Sequence, residues 1–352
     1  MSDKTNQKQT SGDKSQNIQV AGDLVIGITD QRAREIAIEI YQGNFIKLSK
    51  EAHETALTRV NELVDDFLVK LHERNPQSLD SLKEPGMQAT LYTAQKEYAK
   101  TGDKNLEETL VDMLVDRAAT TERDFKQIVL DESISTVSKL TPQQLDILTL
   151  IFILTRLINN SVRDIPTFTQ YLKGHILPFV SSLTKEQASY DHLVYSGCSS
   201  FMSIGYDVKL ENILKDRYKA FFLKGMTKEE FENLVGKIED YKSFLIPCFH
   251  APEKFQPNLM DEKKLEETAR EKGIEESIIG KLKQTYNAQY LMTPEEARAF
   301  ILKEVPDLEP LLDTWGNSNM HATTLTSVGI AIAQANFRRK TGESFDLSIW
   351  IK

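Results

Sequence analysis

Cysteine is scarce in this 352-residue chain. Cys198 and Cys248 stand fifty residues apart, with no Cys-x-x-Cys pair and no neighbouring Cys/His group. That scarcity excludes a disulfide framework and points to a reducing compartment, the cytoplasm. The six histidines form no His-x-x-x-His pair, so a helical zinc site of that form is excluded too. Neither a Gly-x-x-x-x-Gly-Lys-Ser/Thr loop nor a Gly-x-Ser-x-Gly elbow occurs. We therefore expect no catalytic residue, cofactor site or metal site. The first sixteen residues lack an apolar signal core, so secretion is not expected. The longest apolar run, "ILTLIFILTRLI" (147–158), contains Arg156 and falls well short of the roughly 20 residues needed to cross a bilayer. It reads as a central core helix.

Basic charge is also in deficit: 43 Lys and Arg oppose 52 Asp and Glu, a net charge of −9. This balance argues against general attraction to nucleic acid or an anionic membrane. What the chain does have is apolar residues, 40% of the total, enough for a substantial core, arranged mainly at helical spacing. Ala33, Ile36, Ala37 and Ile40 begin the pattern. Ser49 then opens a helix whose Ala52, Ala56, Val60, Leu63, Phe67 and Leu71 form one stripe, stopped by Pro76. Thr141 with Pro142, and Thr227 with Glu230, are helix-start signals. The expected fold is mainly α: a multi-helix body with a short N-terminal β segment and a C-terminal strand in "SFDLSIWIK", where Phe345, Leu347, Ile349 and Ile351 alternate with polar or aromatic neighbours. The expected organisation is a disordered tail over 1–16, a β segment over 17–29, a helical body over 30–246 and, beyond the prolines at 247, 252 and 257, a C-terminal helical subdomain over 258–352.

The β segment, "NIQVAGDLVIGIT", raises a question of stability. Ordering about eleven residues costs roughly 1–2 kcal/mol each, and a half-covered ribbon with five or six aliphatic side chains returns less than that. Ile18, Val20, Gly22, Leu24 and Ile26 must therefore pair between copies of the chain or dock on their own body. Pairing between copies makes a homo-oligomer. Further along, Leu265, Ala269, Gly273, Ile279 and Leu282 have helix-turn-helix spacing, but Glu275-Glu276 stands where the recognition helix would begin, and carboxylates there repel phosphate. In the last helix Gly329, Ala331, Ala333 and Ala335 suit close packing, and Thr326 and Gly342 mark its ends. Arg338, Arg339 and Lys340 close it, either favoured by the helix dipole or available for an anionic-partner contact.

The ending "LTSVGIAIAQANFRRKTGESFDLSIWIK", together with "NIQVAGDLVIGIT", "LVDMLVDRA" and "KLTPQQLDILTLIFIL", resembles an uncharacterised bacterial family that shares this layout over nearly the whole chain. That resemblance implies no activity. "LTSVG" followed by a small-residue helix is similar to the tail of the abortive-infection alpha proteins, and the opening Gly-Asp and Asn-Ile strands resemble terminal segments of bacterial conflict proteins. These likenesses imply a part in phage defence. The expected function is a non-enzymatic cytoplasmic interaction and assembly protein with an unidentified protein partner. The alternatives are a DNA-binding regulator using residues 265–286, and an enzyme of unrecognised type.

Overall fold

α1 (Asp30–Asn44) and α2 (Lys50–Arg74) are the first two helices among the described residues. The computed structural model describes residues 28–44, 49–202, 209–259 and 262–352. Ser49 caps α2 by accepting from the Ala52 N–H at 3.3 Å, and the helix ends one residue before Asn75-Pro76. Of the expected stripe, Ala56, Val60, Leu63, Phe67 and Leu71 are buried while Ala52, in the first turn, stays exposed. Each large aliphatic or aromatic member contributes roughly 1.5–3 kcal/mol by leaving water.

α3 (Pro85–Thr101) and α4 (Lys104–Ala118) meet at Gly102, whose φ of +64° closes α3. A Cβ there would also strike the Arg59 guanidinium at 2.6 Å. That guanidinium donates to the Ala99 carbonyl at 2.8 Å, so it caps the same helix end. α5 (Phe125–Val137) and α6 (Pro142–Arg156) follow. Every residue from Gln144 to Leu154 in α6 is buried, which fits a helix at the centre of a body rather than on its surface. α7 (Ile165–Tyr171) runs straight into a π-helical turn, Leu172–Ile176. α8 (Gln187–Tyr195), the short strand β1 (Ser199–Phe201) and α9 (Leu210–Arg217) complete this stretch.

A second apolar cluster forms around Leu223, Met226, Phe231, Leu265, Leu282 and Tyr286. Its elements are α10 (Lys228–Leu234), α11 (Ile238–Tyr241), the antiparallel pair β2 (Leu245–Pro247) and β3 (Phe255–Pro257), α12 (Glu262–Glu271) and α13 (Glu276–Lys283). The chain then rejoins the main core through α14 (Pro294–Glu304), α15 (Glu309–Gly316), β4 (Thr323–Leu325), which pairs antiparallel with β1, and α16 (Ser327–Thr341). The main core thus draws on residues from Ala33 to Phe222 and again from Met292 to Ile351. Residues 258–352 are divided between the two clusters.

The fold is mainly α, as expected, with one correction at the end of the chain. The alternating stretch 345–351 forms a 3-10 turn, Leu347–Ile349, capped by Asp346, which accepts from the Ser348 N–H at 2.9 Å. A strand needs a partner edge, and among the described residues none pairs here. The aromatic residues instead seat the turn on α6: Trp350 meets Phe152 edge-on at 5.0 Å, while Ile349 is turned outward, 58% exposed. Of the expected N-terminal β segment, all but Ile28 and Thr29 lies outside the described residues. Ile28 donates its N–H to Asp80 at 3.0 Å and packs on the main core.

Candidate functional site

α16 carries the cationic run, and its ends lie where the capping signals put them. Thr326 accepts from the Gly329 N–H at 3.1 Å, and Gly342 follows Thr341 at φ +77°. Gly329, Ala331, Ala333 and Ala335 are buried, so the small-residue helix is enclosed by its neighbours. The cations beyond them are not a free patch. Arg338 forms a two-pronged pair with Asp116 of α4, at 2.8 and 3.2 Å, and is only 8% exposed. Arg339 donates to Asn105 at 2.6 Å and to Asn336 at 2.9 Å. Lys340 sits 2.7 Å from Asp146 of α6, where Asn336 and Thr149 complete a buried polar seam. The sequence reading left these cations either favoured by the helix dipole or available for an anionic-partner contact; the structure gives each of them side-chain partners on α4, α6 or α16 itself.

Arg338 and Arg339 help to wall a cleft of about 500 Å³ between α2, α4 and the end of α16. α2 supplies Asp66, Lys70 and Arg74, spaced four residues apart and so in one row. α4 supplies Lys104, Glu107, Glu108 and Asp112. Asp112 is buried and takes both Lys70 at 3.3 Å and Arg74 at 2.9 Å. Two cations thus share one carboxylate. The Nε of Arg338 and the Nε of Arg339 are both buried without an acceptor.

Glu107 lies within this wall, 2% exposed. Burial, reinforced by the charge of and a hydrogen bond with Asp66, pushes its carboxyl up to about 8, so it is largely uncharged at neutral pH. Its Oε1 has no partner. Five cations and five carboxyls line the cleft; of these, Glu107 is largely uncharged, while Arg338 and Lys104 are paired with Asp116 and Glu62 just outside the lining.

Sequence reasoning passed over Asp66, Lys70, Arg74, Glu107 and Asp112. The Asp66–Lys70–Arg74 row was visible, but four-residue charge spacing is shared by ordinary solvated helix faces, and Asp66 itself is exposed. The expected oligomerisation residues Ile18, Val20, Gly22, Leu24 and Ile26 lie outside the described residues. The helix-turn-helix spacing does form a hairpin of α12 and α13, with Leu265, Ala269, Ile279 and Leu282 buried and Gly273 turning at φ +72°. In that hairpin Arg270 is taken up by Glu266 at 2.6 Å and by Glu276, in the first turn of α13. Burial pushes the Cys198 thiol up to about 12, which keeps it unreactive. Among the described residues no helix is long and apolar enough to cross a membrane, and no His, Cys, Asp or Glu group of three or more is placed to hold a metal ion.

A protein-family model described as ":-like" matches residues 27–351, and the chain belongs to that family. The match begins after most of the N-terminal Gly-Asp segment. No curated protein and no solved structure matches the chain.

Proposed function

We propose that this chain, which belongs to the family whose model spans residues 27–351, is a non-enzymatic binding protein whose charged cleft takes up an acidic group of a protein partner. In the same reading its N-terminal segment joins copies of the chain, and the assembly works in bacterial phage defence in the cytoplasm. One observation carries the cleft assignment: Arg338 and Arg339, each held by side-chain hydrogen bonds, line the same cleft as Glu107, a buried carboxyl pushed up to about 8. An incoming carboxylate or phosphate meets donors already held in place, which lowers the ordering cost of binding. The cleft wall is built of Lys, Arg, Asp and Glu around Val69 and Gly342, groups suited to holding a charged surface.

The test uses a Glu-rich peptide titrated into the full chain by calorimetry, beside Val69→Trp. Val69 lines the cleft and is 57% exposed, so a larger ring there fills the cleft without entering the core. Saturable binding by the parent that is lost in Val69→Trp supports the reading. Equal binding by both proteins, or none by the parent, contradicts it. For the biological setting, expression in a bacterial host should lower phage plating, and Val69→Trp should restore it.

A further inference from the structure

α16 also contributes to a second cavity, through Phe337. This one, of about 400 Å³, lies between the loop that follows α6, the π turn and the residues just after α16. Rings file along one side of it, His175 and Phe345 partly exposed, Tyr171 and Phe337 buried behind them. Tyr171 and His175 have centroids 5.3 Å apart, His175 stacks on Phe337 at 5.9 Å, and Phe337 on Phe345 at 5.5 Å. His175 comes from the π turn, a rare local geometry that is frequent at functional sites. Its Nε2 lies 2.9 Å from a Glu343 carboxylate oxygen. A carboxylate only accepts, so Nε2 carries the proton. The other ring nitrogen, Nδ1, is buried without a partner.

The loop opposite is anchored by its backbone, which leaves side-chain amides unused. The Asn159 N–H donates to the Tyr218 hydroxyl at 2.9 Å, and the Asn159 Oδ1 accepts from the Ser161 N–H at 2.9 Å. The Asn159 NH₂ and the whole Asn160 carboxamide, both at the cavity, make no hydrogen bond among the described residues. Ile158, also at the cavity, is 55% exposed. Aromatic walls with a few unused polar groups are the usual make-up of a small-molecule site. A carboxamide with both donor and acceptor free matches the edge of a nitrogen heterocycle, as asparagine does with adenine.

We propose that this cavity binds a purine nucleoside, its base against the partly exposed rings of His175 and Phe345 and its edge read by the Asn160 carboxamide, with the Asn159 NH₂ as a further donor. No Lys or Arg lines the cavity among the described residues, and Glu343 does. This favours a nucleoside over its phosphorylated forms. The proposal stands apart from the charged cleft.

Ligand-observed NMR and calorimetry on the full chain, with adenosine, guanosine, uridine and AMP as probes, provide the test. One of the purine nucleosides should bind with a Kd of about 0.1 mM or tighter. Uridine and AMP should bind at least about tenfold more weakly, as the size of the cavity wall and its charge require. Ile158→Trp, which blocks the mouth, and Asn160→Ala should each weaken the purine about tenfold or more, with the parent's melting temperature retained because both residues are exposed. Failure of both purines to saturate, or affinity unchanged in Ile158→Trp, overturns the proposal. Preference for AMP over adenosine overturns it as well.

Discussion

Replacing Gly329 by alanine sets two effects of opposite sign against each other. Alanine is the better helix former by up to about 1 kcal/mol, so on propensity alone the variant gains. Gly329 is in the first turn of α16, however, where a Cβ would stand 1.9 Å from the Cys198 carbonyl oxygen and 2.9 Å from its carbon. Real Cβ atoms do not approach backbone so closely, and the obstacle is pinned. The same carbonyl accepts from the Thr326 N–H at 3.1 Å, the Cys198 N–H donates to Leu193 at 3.0 Å, and residue 199 is paired in register with Leu325. Relief requires α16 to move off the β1–β4 pair, with an overpacking penalty of typically about 1–3 kcal/mol and a buried hydrogen bond lost at about 1 kcal/mol. The net is destabilisation by about 1–3 kcal/mol, up to several degrees in melting temperature at this size. Gly280→Ala is the control, since a Cβ there meets nothing within 4 Å inside α13, and it should gain about 0.5–1 kcal/mol. Urea melts followed by circular dichroism, with calorimetry, compare the three proteins. If Gly329→Ala melts at or above the parent while Gly280→Ala behaves as stated, the packing of α16 on residue 198 is wrong.

Arg338→Ala should lower stability by about 2–3 kcal/mol in the same melts: breaking a buried pair costs about 3–5 kcal/mol, and Asp116, 26% exposed, recovers part of its hydration. Ala333→Leu, at a fully buried position, should lose about 1–3 kcal/mol. Between its ordinary value near 4.5 and about 8, folded Glu107 keeps a proton that the unfolded chain releases. Stability conferred by that group is therefore complete below about pH 4.5 and is lost as pH rises to 8, by up to about 1.4 kcal/mol per unit. Glu107→Gln should flatten that part of the pH–stability curve. Deleting residues 1–29 should lower the mass seen by light scattering and leave the helical circular dichroism spectrum; an unchanged mass would rule out assembly through that segment.

Helix ends were the most legible part of the sequence, because capping is local chemistry. Ser49, Thr141, Thr227 and Thr326 each accept the backbone hydrogen bond expected of an N-cap, and the interaction spans only three residues. The apolar run of α6 was legible as core for the same reason: burial on all sides needs no partner to be named. The C-terminal turn was not, since seven alternating residues suit a strand or a turn equally, and the choice fell to Trp350 and Phe345 finding Phe152 about two hundred residues away. The candidate site was hidden by the same kind of distance. Glu107 is an ordinary helix carboxylate until α2 brings Asp66 beside it and burial raises its proton affinity. Arg338 is an ordinary C-terminal cation until α4 offers Asp116.

The cleft's ability to hold an acidic group is tested most directly by titrating sulfate, whose charge is constant above pH 3, into the full chain and into Glu107→Gln from pH 6 to 9.5. Binding to the parent should weaken as pH rises through about 8, by up to about tenfold per unit beyond it, as Glu107 becomes a carboxylate beside the bound anion. Glu107→Gln should bind with no such fall. Sulfate affinity that is absent in the parent, or that falls with pH alike in both proteins, would contradict the account.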